Sequence, residues 1–140
     1  MGQNLKKNKD AFKRTEMKDK DNRGIRRIIN AFRYSFAGYK AAWINEEAFR
    51  QECIVAIFVI PIGLWLGRTM TQRALLIGFY LIIPFTELLN AAIEALVDRM
   101  GPERHLLSGR AKDLGSAAVL LSICMAIIVW VLIAYERFFS

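Results

Sequence analysis

The sequence predicts an all-α integral membrane protein in which three transmembrane helices follow one N-terminal amphipathic surface helix. Three observations predict it. Hydrophobic residues make up 54% of the chain and are gathered into blocks rather than spread at helical spacing, which separates membrane spans from soluble helices. Lys and Arg cluster beside those blocks, as they do at cytoplasmic flanks. The ionisable residues inside one block share a single helix face. A length of 140 residues leaves room for one domain, here residues 25–140, behind a short tail.

The tail, residues 1–24, is MGQNLKKNKDAFKRTEMKDKDNRG. No apolar stretch follows its charges, so it is not a signal peptide. Lys6 stands where a myristoylation site needs Ser or Thr. Its composition predicts a mobile cytoplasmic tail. Residues 25–45 form the surface helix. Ile25, Ile28, Ile29, Phe32, Phe36, Tyr39 and Trp43 recur at spacings of three and four. Arg26, Arg27, Asn30, Arg33 and Lys40 lie off that stripe. A basic face opposite an aromatic face suits a helix lying in the membrane interface.

The spans follow at about residues 48–66, 74–97 and 114–135. In the first, the apolar run CIVAIFVIPIGLWL is short for a bilayer. It lengthens backwards through Ala48 and Phe49 if Arg50, Gln51 and Glu52 face headgroups or protein. Pro61 would kink it, which membrane helices tolerate. The third span carries no charge until Glu136. The basic tail and surface helix, with Arg99, Arg104, Arg110 and Lys112 after the second span, place the amino terminus and the 98–113 loop in the cytoplasm. The carboxyl terminus then lies outside.

Several function classes drop out. The net charge of +7 sits beside apolar blocks and is assigned to lipid rather than nucleic acid. Cys53 and Cys124 lack metal-ligand spacing and read as small hydrophobes. His105 is the single histidine, so no multi-histidine metal site exists. The common glycine-rich phosphate loops are absent.

The second span ends in ELLNAAIEALVDR, Glu87 to Arg99. At about 100° per residue, Asn90, Glu94 and Asp98 fall within roughly 60° of Glu87 on one face. A charged side chain at mid-helix costs roughly 2.5–3.5 kcal/mol on insertion scales, so this face must meet protein or a wet site. Three helices enclose little, which predicts a homo-oligomer with the site between subunits. Glu87 and Glu94 stand about 10.5 Å apart along the axis, too far to share one ion from a straight helix. That separation predicts a division of labour. Glu94, nearer the cytoplasm, can hold a hydrated cation. Glu87, deeper among apolar residues, can take a proton from a group arriving from the lipid. Lys112 and Asp113 start the third span at the same end, where Lys and backbone amides meet phosphate. Together these features predict a Mg²⁺–nucleotide site, with Arg and Lys against phosphate and Glu on the ion.

Three motifs, KAAWINEEAFRQE, ELLNAAIEALVDR and SGRAKDLGSAAV, in this order and spacing, resemble the small prokaryotic diacylglycerol kinases over roughly residues 25–138. The resemblance implies a homotrimeric inner-membrane kinase that transfers the γ-phosphoryl group of MgATP to diacylglycerol, giving phosphatidic acid for phospholipid synthesis. It implies Glu87 as general base, with Asn90 and Asp98 close to the chemistry. Glu46 and Glu94 become the Mg²⁺ ligands. Arg27, Tyr34, Glu46, Glu94, Glu103, Arg104, His105, Lys112 and Asp113 take nucleotide positions. Lys40, Ala41, Ala42, Trp43, Ala48, Phe49, Arg50, Gln51, Glu52, Glu87, Ser116 and Trp130 take lipid positions. Lys40 stands where the family pattern has Arg, Arg104 and Leu106 flank His105 where it has Tyr and an acid, and Pro84 sits in the turn before Glu87.

Two alternatives remain at this level. One is an undecaprenol kinase of the same family. The other is a small proton-coupled transporter, since intramembrane glutamates also serve proton relays. A transporter has no use for the cytoplasmic constellation of Glu46, the PERHL turn and Lys112-Asp113.

Overall fold

The computed structural model describes residues 24–101 and 105–139. Residues 1–23, and with them nearly all of the charged tail, lie outside the described residues, as do Pro102, Glu103, Arg104 and Ser140. Four α-helices account for almost everything described: α1 (Ile25–Asn45), α2 (Glu47–Leu66), α3 (Met70–Arg99) and α4 (Leu106–Phe139). The chain divides into two compact units between Ala41 and Ala42. Most of α1 forms the described part of the first, and α2, α3 and α4 lie in the second.

α1 opens after Gly24, whose φ of 78° is a left-handed value that glycine adopts without strain. It ends at a one-residue break. Glu46 is extended, with φ −107° and ψ 113°. Its N–H still donates to the Ala42 carbonyl at 2.8 Å, closing the last turn of α1. Arg50 then reaches back, and its Nη1 donates to the carbonyls of Trp43 and Ile44 at 3.0 Å each. Those carbonyls are among the orphan acceptors of a helix end, and a guanidinium is well suited to cap them. This answers the short apolar run of the first span: α2 continues unbroken through Arg50, Gln51 and Glu52.

Three helices, α2, α3 and α4, are long and apolar enough to cross a membrane. The 20 residues of α2 give about 30 Å of helix, the thickness of the hydrocarbon core. α3 and α4, with 30 and 34 residues, exceed it and extend beyond the apolar runs seen in the sequence. Ile57, Phe58, Leu120, Leu121, Ile127, Val131 and Leu132 are exposed, an apolar surface that suits lipid.

α3 packs chiefly on α4 and then on α2. The α3–α4 pairing is antiparallel and its register is marked along the whole length. Asp98 meets Lys112, Asn90 meets Gly115, Thr86 meets Ser122, Leu76 meets Trp130 and Gln72 meets Glu136. The apolar core sits towards one end, where Leu66, Leu76 and Ile133 are buried against Val129, Trp130 and Ala134. There the Trp130 indole N–H donates to the Leu76 carbonyl at 3.1 Å.

The α2–α3 connection is fastened to the same end. Thr69 and Gln72 form a capping box at the start of α3. Gln72 also donates to Glu136 at 3.0 Å, and Arg68 donates to the Arg137 carbonyl at 2.7 Å. Arg73 packs so closely on Gly67 that a Cβ there would meet its backbone nitrogen at 2.8 Å.

Candidate active site

At the opposite end of the α3–α4 pair, the last four turns of α3 present a graded polar face. Glu87 and Asn90 are buried at 7% and 8% exposure, Glu94 is half-buried and Asp98 is exposed. The gradient follows from helix geometry. These residues share a stripe that starts among apolar side chains and runs out to the polar helix end.

Asn90, Glu94 and Asp98 each have a hydrogen-bond partner within the face or across from it. The Asn90 amide donates from Nδ2 to Glu94 Oε1 at 3.1 Å, fixing one carboxylate oxygen. Lys112 Nζ donates to Asp98 Oδ1 at 2.6 Å, joining the ends of α3 and α4. Glu87 experiences, besides burial, the charges of Glu94 and Glu46. So Glu46, at the break between α1 and α2, belongs electrostatically to this cluster. Glu52 interacts in turn with Glu87, and its Oε2 is buried with no hydrogen-bond partner among the described residues. One residue before the face begins, Thr86 shares a hydrogen bond of 3.0 Å with Ser122.

The remaining predicted residues divide by location. His105 sits just before α4 and caps it: its Nδ1 accepts from the Leu107 N–H at 3.2 Å and its carbonyl accepts from Gly109 at 3.1 Å. An Nδ1 that accepts places the neutral ring's proton on Nε2. Asp113 and Ser116 are exposed on α4. Of the predicted lipid positions on and beside α2, Ala42 and Phe49 are buried, while Trp43, Ala48 and Gln51 are exposed. Arg50 is engaged with the end of α1. Trp130 packs against Leu76, about 16 Å back along α3 from Glu87 at 1.5 Å per residue, and is not brought to the acidic face. Arg27, Tyr34, Lys40 and Ala41 are exposed on α1. Glu103 and Arg104 lie outside the described residues.

Sequence reasoning missed two residues here. The Tyr80 hydroxyl donates to the Glu52 carbonyl at 2.5 Å, linking α3 to the α2 segment that carries that carboxylate. A tyrosine inside an apolar helix must find a partner for its hydroxyl, which was the available signal. Gly115 is buried against Asn90, and small residues at membrane helix contacts are the usual mark of close approach.

Among the described residues no three His, Cys, Asp or Glu side chains gather as a metal cage. Two carboxylates near a Lys can still complete a hard-cation site when phosphate oxygens supply the other ligands. Fold and site thus define a membrane protein of three apolar helices with a carboxylate-lined face at one end of its α3–α4 pair.

Comparison with known proteins narrows the class. The family model for prokaryotic diacylglycerol kinase matches residues 33–134. The diacylglycerol kinase of Escherichia coli strain K12 is 50% identical over 115 residues, covering 82% of this chain and 94% of that protein. Those of Haemophilus influenzae and Pseudomonas aeruginosa are 49% and 45% identical over 107 residues, covering 76% of this chain and 91% and 87% of theirs. The chain belongs to the prokaryotic diacylglycerol kinase family and is an enzyme of that family.

Proposed function

We propose that this enzyme transfers the γ-phosphoryl group of ATP to the free hydroxyl of diacylglycerol at the cytoplasmic membrane surface. The products are phosphatidic acid and ADP, and the reaction returns diacylglycerol to phospholipid synthesis. The observation that carries this reading is the graded face of α3: a buried carboxylate aligned with a half-buried carboxylate and a Lys–Asp pair at the polar end.

The chemistry needs three things: a positioned hydroxyl, a base to remove its proton, and cations against the phosphates. A lipid hydroxyl sits at headgroup depth, so a site on the outer turns of a membrane helix receives it without extraction. Glu87 takes the hydroxyl proton as that oxygen bonds to the γ-phosphorus and the bond to the bridging oxygen of ADP breaks. Asn90 holds Glu94 in place through the bond at 3.1 Å. Lys112 balances phosphate charge, with Arg27, Tyr34, Glu103, Arg104, His105 and Asp113 assigned to the nucleotide. Glu46 and Glu94 would hold Mg²⁺, because their hard oxygens fit that ion and a nucleotide-borne ion needs only one or two carboxylates. When bound, it neutralises charge on the transferring phosphate. The lipid is assigned to Lys40–Trp43, Ala48–Glu52 and Ser116. Trp130 joins that set only on the family pattern.

In this reading α1 lies in the membrane interface, the amino terminus faces the cytoplasm and the carboxyl terminus the outside. The enzyme is a homotrimer of the bacterial inner membrane. A single chain leaves Glu94 half-buried and Asp98 exposed at the polar end of the face, which leaves room for a second chain beside the site.

The test is direct. The purified protein, in mild detergent with added lipid and labelled MgATP, is given diacylglycerol or undecaprenol. Labelled phosphatidic acid is expected, and it should vanish in Glu87→Gln. Labelled undecaprenyl phosphate alone would move the substrate assignment. No labelled lipid from either alcohol would return Glu87 and Glu94 to a proton-relay role.

A further inference from the structure

Asn90 of α3 and Gly115 of α4 face each other within the candidate site. Gly115 is buried, and a Cβ built on it would overlap Asn90 Oδ1 and lie 3.3 Å from Asn90 Cγ. The orientation of the Asn90 amide is dictated chemically. Glu94 is an acceptor only, so the amide nitrogen must face it, as the bond at 3.1 Å records. The amide oxygen is therefore turned towards Gly115. That oxygen is buried and has no hydrogen-bond partner among the described residues. Its neighbour is the bare Cα of a glycine, which offers only a weak C–H contact. Leaving a buried acceptor without a partner is costly. The arrangement persists because turning the amide over would set its oxygen against the Glu94 carboxylate.

We propose that Gly115 is a positioning residue for the reaction: by leaving room for the Asn90 oxygen, it holds the Asn90 amide against Glu94 and so aims the Glu94 carboxylate at the bound metal. This rests on the function proposed above. It differs from ordinary helix packing in a specific way. The atom that a new Cβ would strike is the tip of one side chain, and the nearest backbone atom of Asn90 is 3.7 Å away. The helices need not separate to admit a methyl group. Rotation of the amide suffices, and that rotation breaks the bond to Glu94. Gly115→Ala should thus fold normally and lose the alignment of one ligand. Outer groups that orient a metal ligand are worth roughly 10–100-fold in metal affinity or activity when removed.

The experiment uses the full-length protein in detergent with added lipid and compares the parent with Gly115→Ala, Asn90→Ser, the double variant and Gly78→Ala. Gly78 has open space around its Cβ position and serves as the control. Two readouts are taken: phosphoryl transfer as a function of Mg²⁺ concentration, and Mn²⁺ binding followed by its EPR signal with a non-hydrolysable ATP analogue. For Gly115→Ala the expected result is at least a roughly tenfold weaker Mn²⁺ affinity and a matching rise in the Mg²⁺ requirement. Helix content and KM for diacylglycerol should match the parent, as should every property of Gly78→Ala. In the Asn90→Ser background, adding Gly115→Ala should change Mn²⁺ affinity less than twofold, because the clash partner is gone. Parent-like Mn²⁺ affinity in Gly115→Ala overturns the proposal. An equal loss in both backgrounds does so too, as does a Gly115→Ala protein that fails to fold while Gly78→Ala folds. A parent that transfers no phosphate would instead overturn the kinase reading itself.

Discussion

Glu87 is a carboxylate 7% exposed on a helix otherwise rich in Leu and Ile, and no packing requirement explains it. An intramembrane carboxylate of this kind marks a candidate functional site. Glu87→Gln keeps shape and removes the base, so kcat should fall by about 10²–10⁴-fold while ATP still binds. Binding of a fluorescent nucleotide beside the transfer assay checks both halves. Lys112 is a different case. Its bond to Asp98 joins two partly exposed side chains, which makes it a poor source of stability but a ready donor to phosphate. Lys112→Met should raise KM for ATP roughly tenfold, the scale of one charge-assisted bond, with little change in thermal midpoint. An unchanged KM would remove Lys112 from the nucleotide site. At this scale the alignment of Asn90 with Glu94 was legible from spacing alone, since helix periodicity fixes which residues share a face. The capping role of Arg50 was not, because it depends on a one-residue break that no local pattern announces.

Between elements, polar bonds and close contacts set the register of α3 on α4. Lipid tails compete with apolar side chains on equal terms, so hydrogen bonds and small residues carry much of the specificity. The Thr86–Ser122 bond is of the interhelical kind that contributes about 0.6 kcal/mol on average in membrane proteins. Ser122→Ala should therefore cost about 0.6 kcal/mol in a detergent unfolding assay and leave transfer intact. Gly67→Ala is expected to be far more damaging. Its Cβ would meet the Arg73 backbone nitrogen at 2.8 Å, and backbone cannot rotate aside as a side chain does. A drop in thermal midpoint well beyond that of Ser122→Ala would confirm that the α2–α3 connection is locked. The three apolar helices were readable as apolar blocks. Their ends were not, since α4 begins at Leu106, ahead of its apolar run, and backbone bonding continues wherever nothing breaks it.

At the scale of the whole molecule, the predictions concern the proposed trimer and its orientation. The mass of the detergent-solubilised protein, corrected for bound detergent, should equal three copies of the 16.0 kDa chain. Sites built between subunits make a sharper prediction. Co-assembled Glu46→Gln and Glu87→Gln chains should regain activity that neither homo-oligomer has, because some sites then draw an intact Glu from each. No recovery would confine each site to one chain. A reporter enzyme that matures only outside the inner membrane should be active when fused after Ser140 and inactive when fused before Met1.

The sequence by itself determined that this is an all-helical protein with three apolar helices, and that its carboxylates line one face of α3. Both are one-dimensional properties, block hydrophobicity and a period of about 3.6 residues per turn, and neither needs a neighbour to be expressed. Its three motifs also sufficed to point to the family. Tertiary structure alone decided what those carboxylates meet. It set Gly115 against Asn90, brought Lys112 to Asp98, seated Tyr80 on Glu52 and placed Trp130 at the end remote from Glu87. These are relations between helices. They follow from the register of the α3–α4 pair and the break at Glu46, which arise from packing and hydrogen bonding between segments distant in sequence.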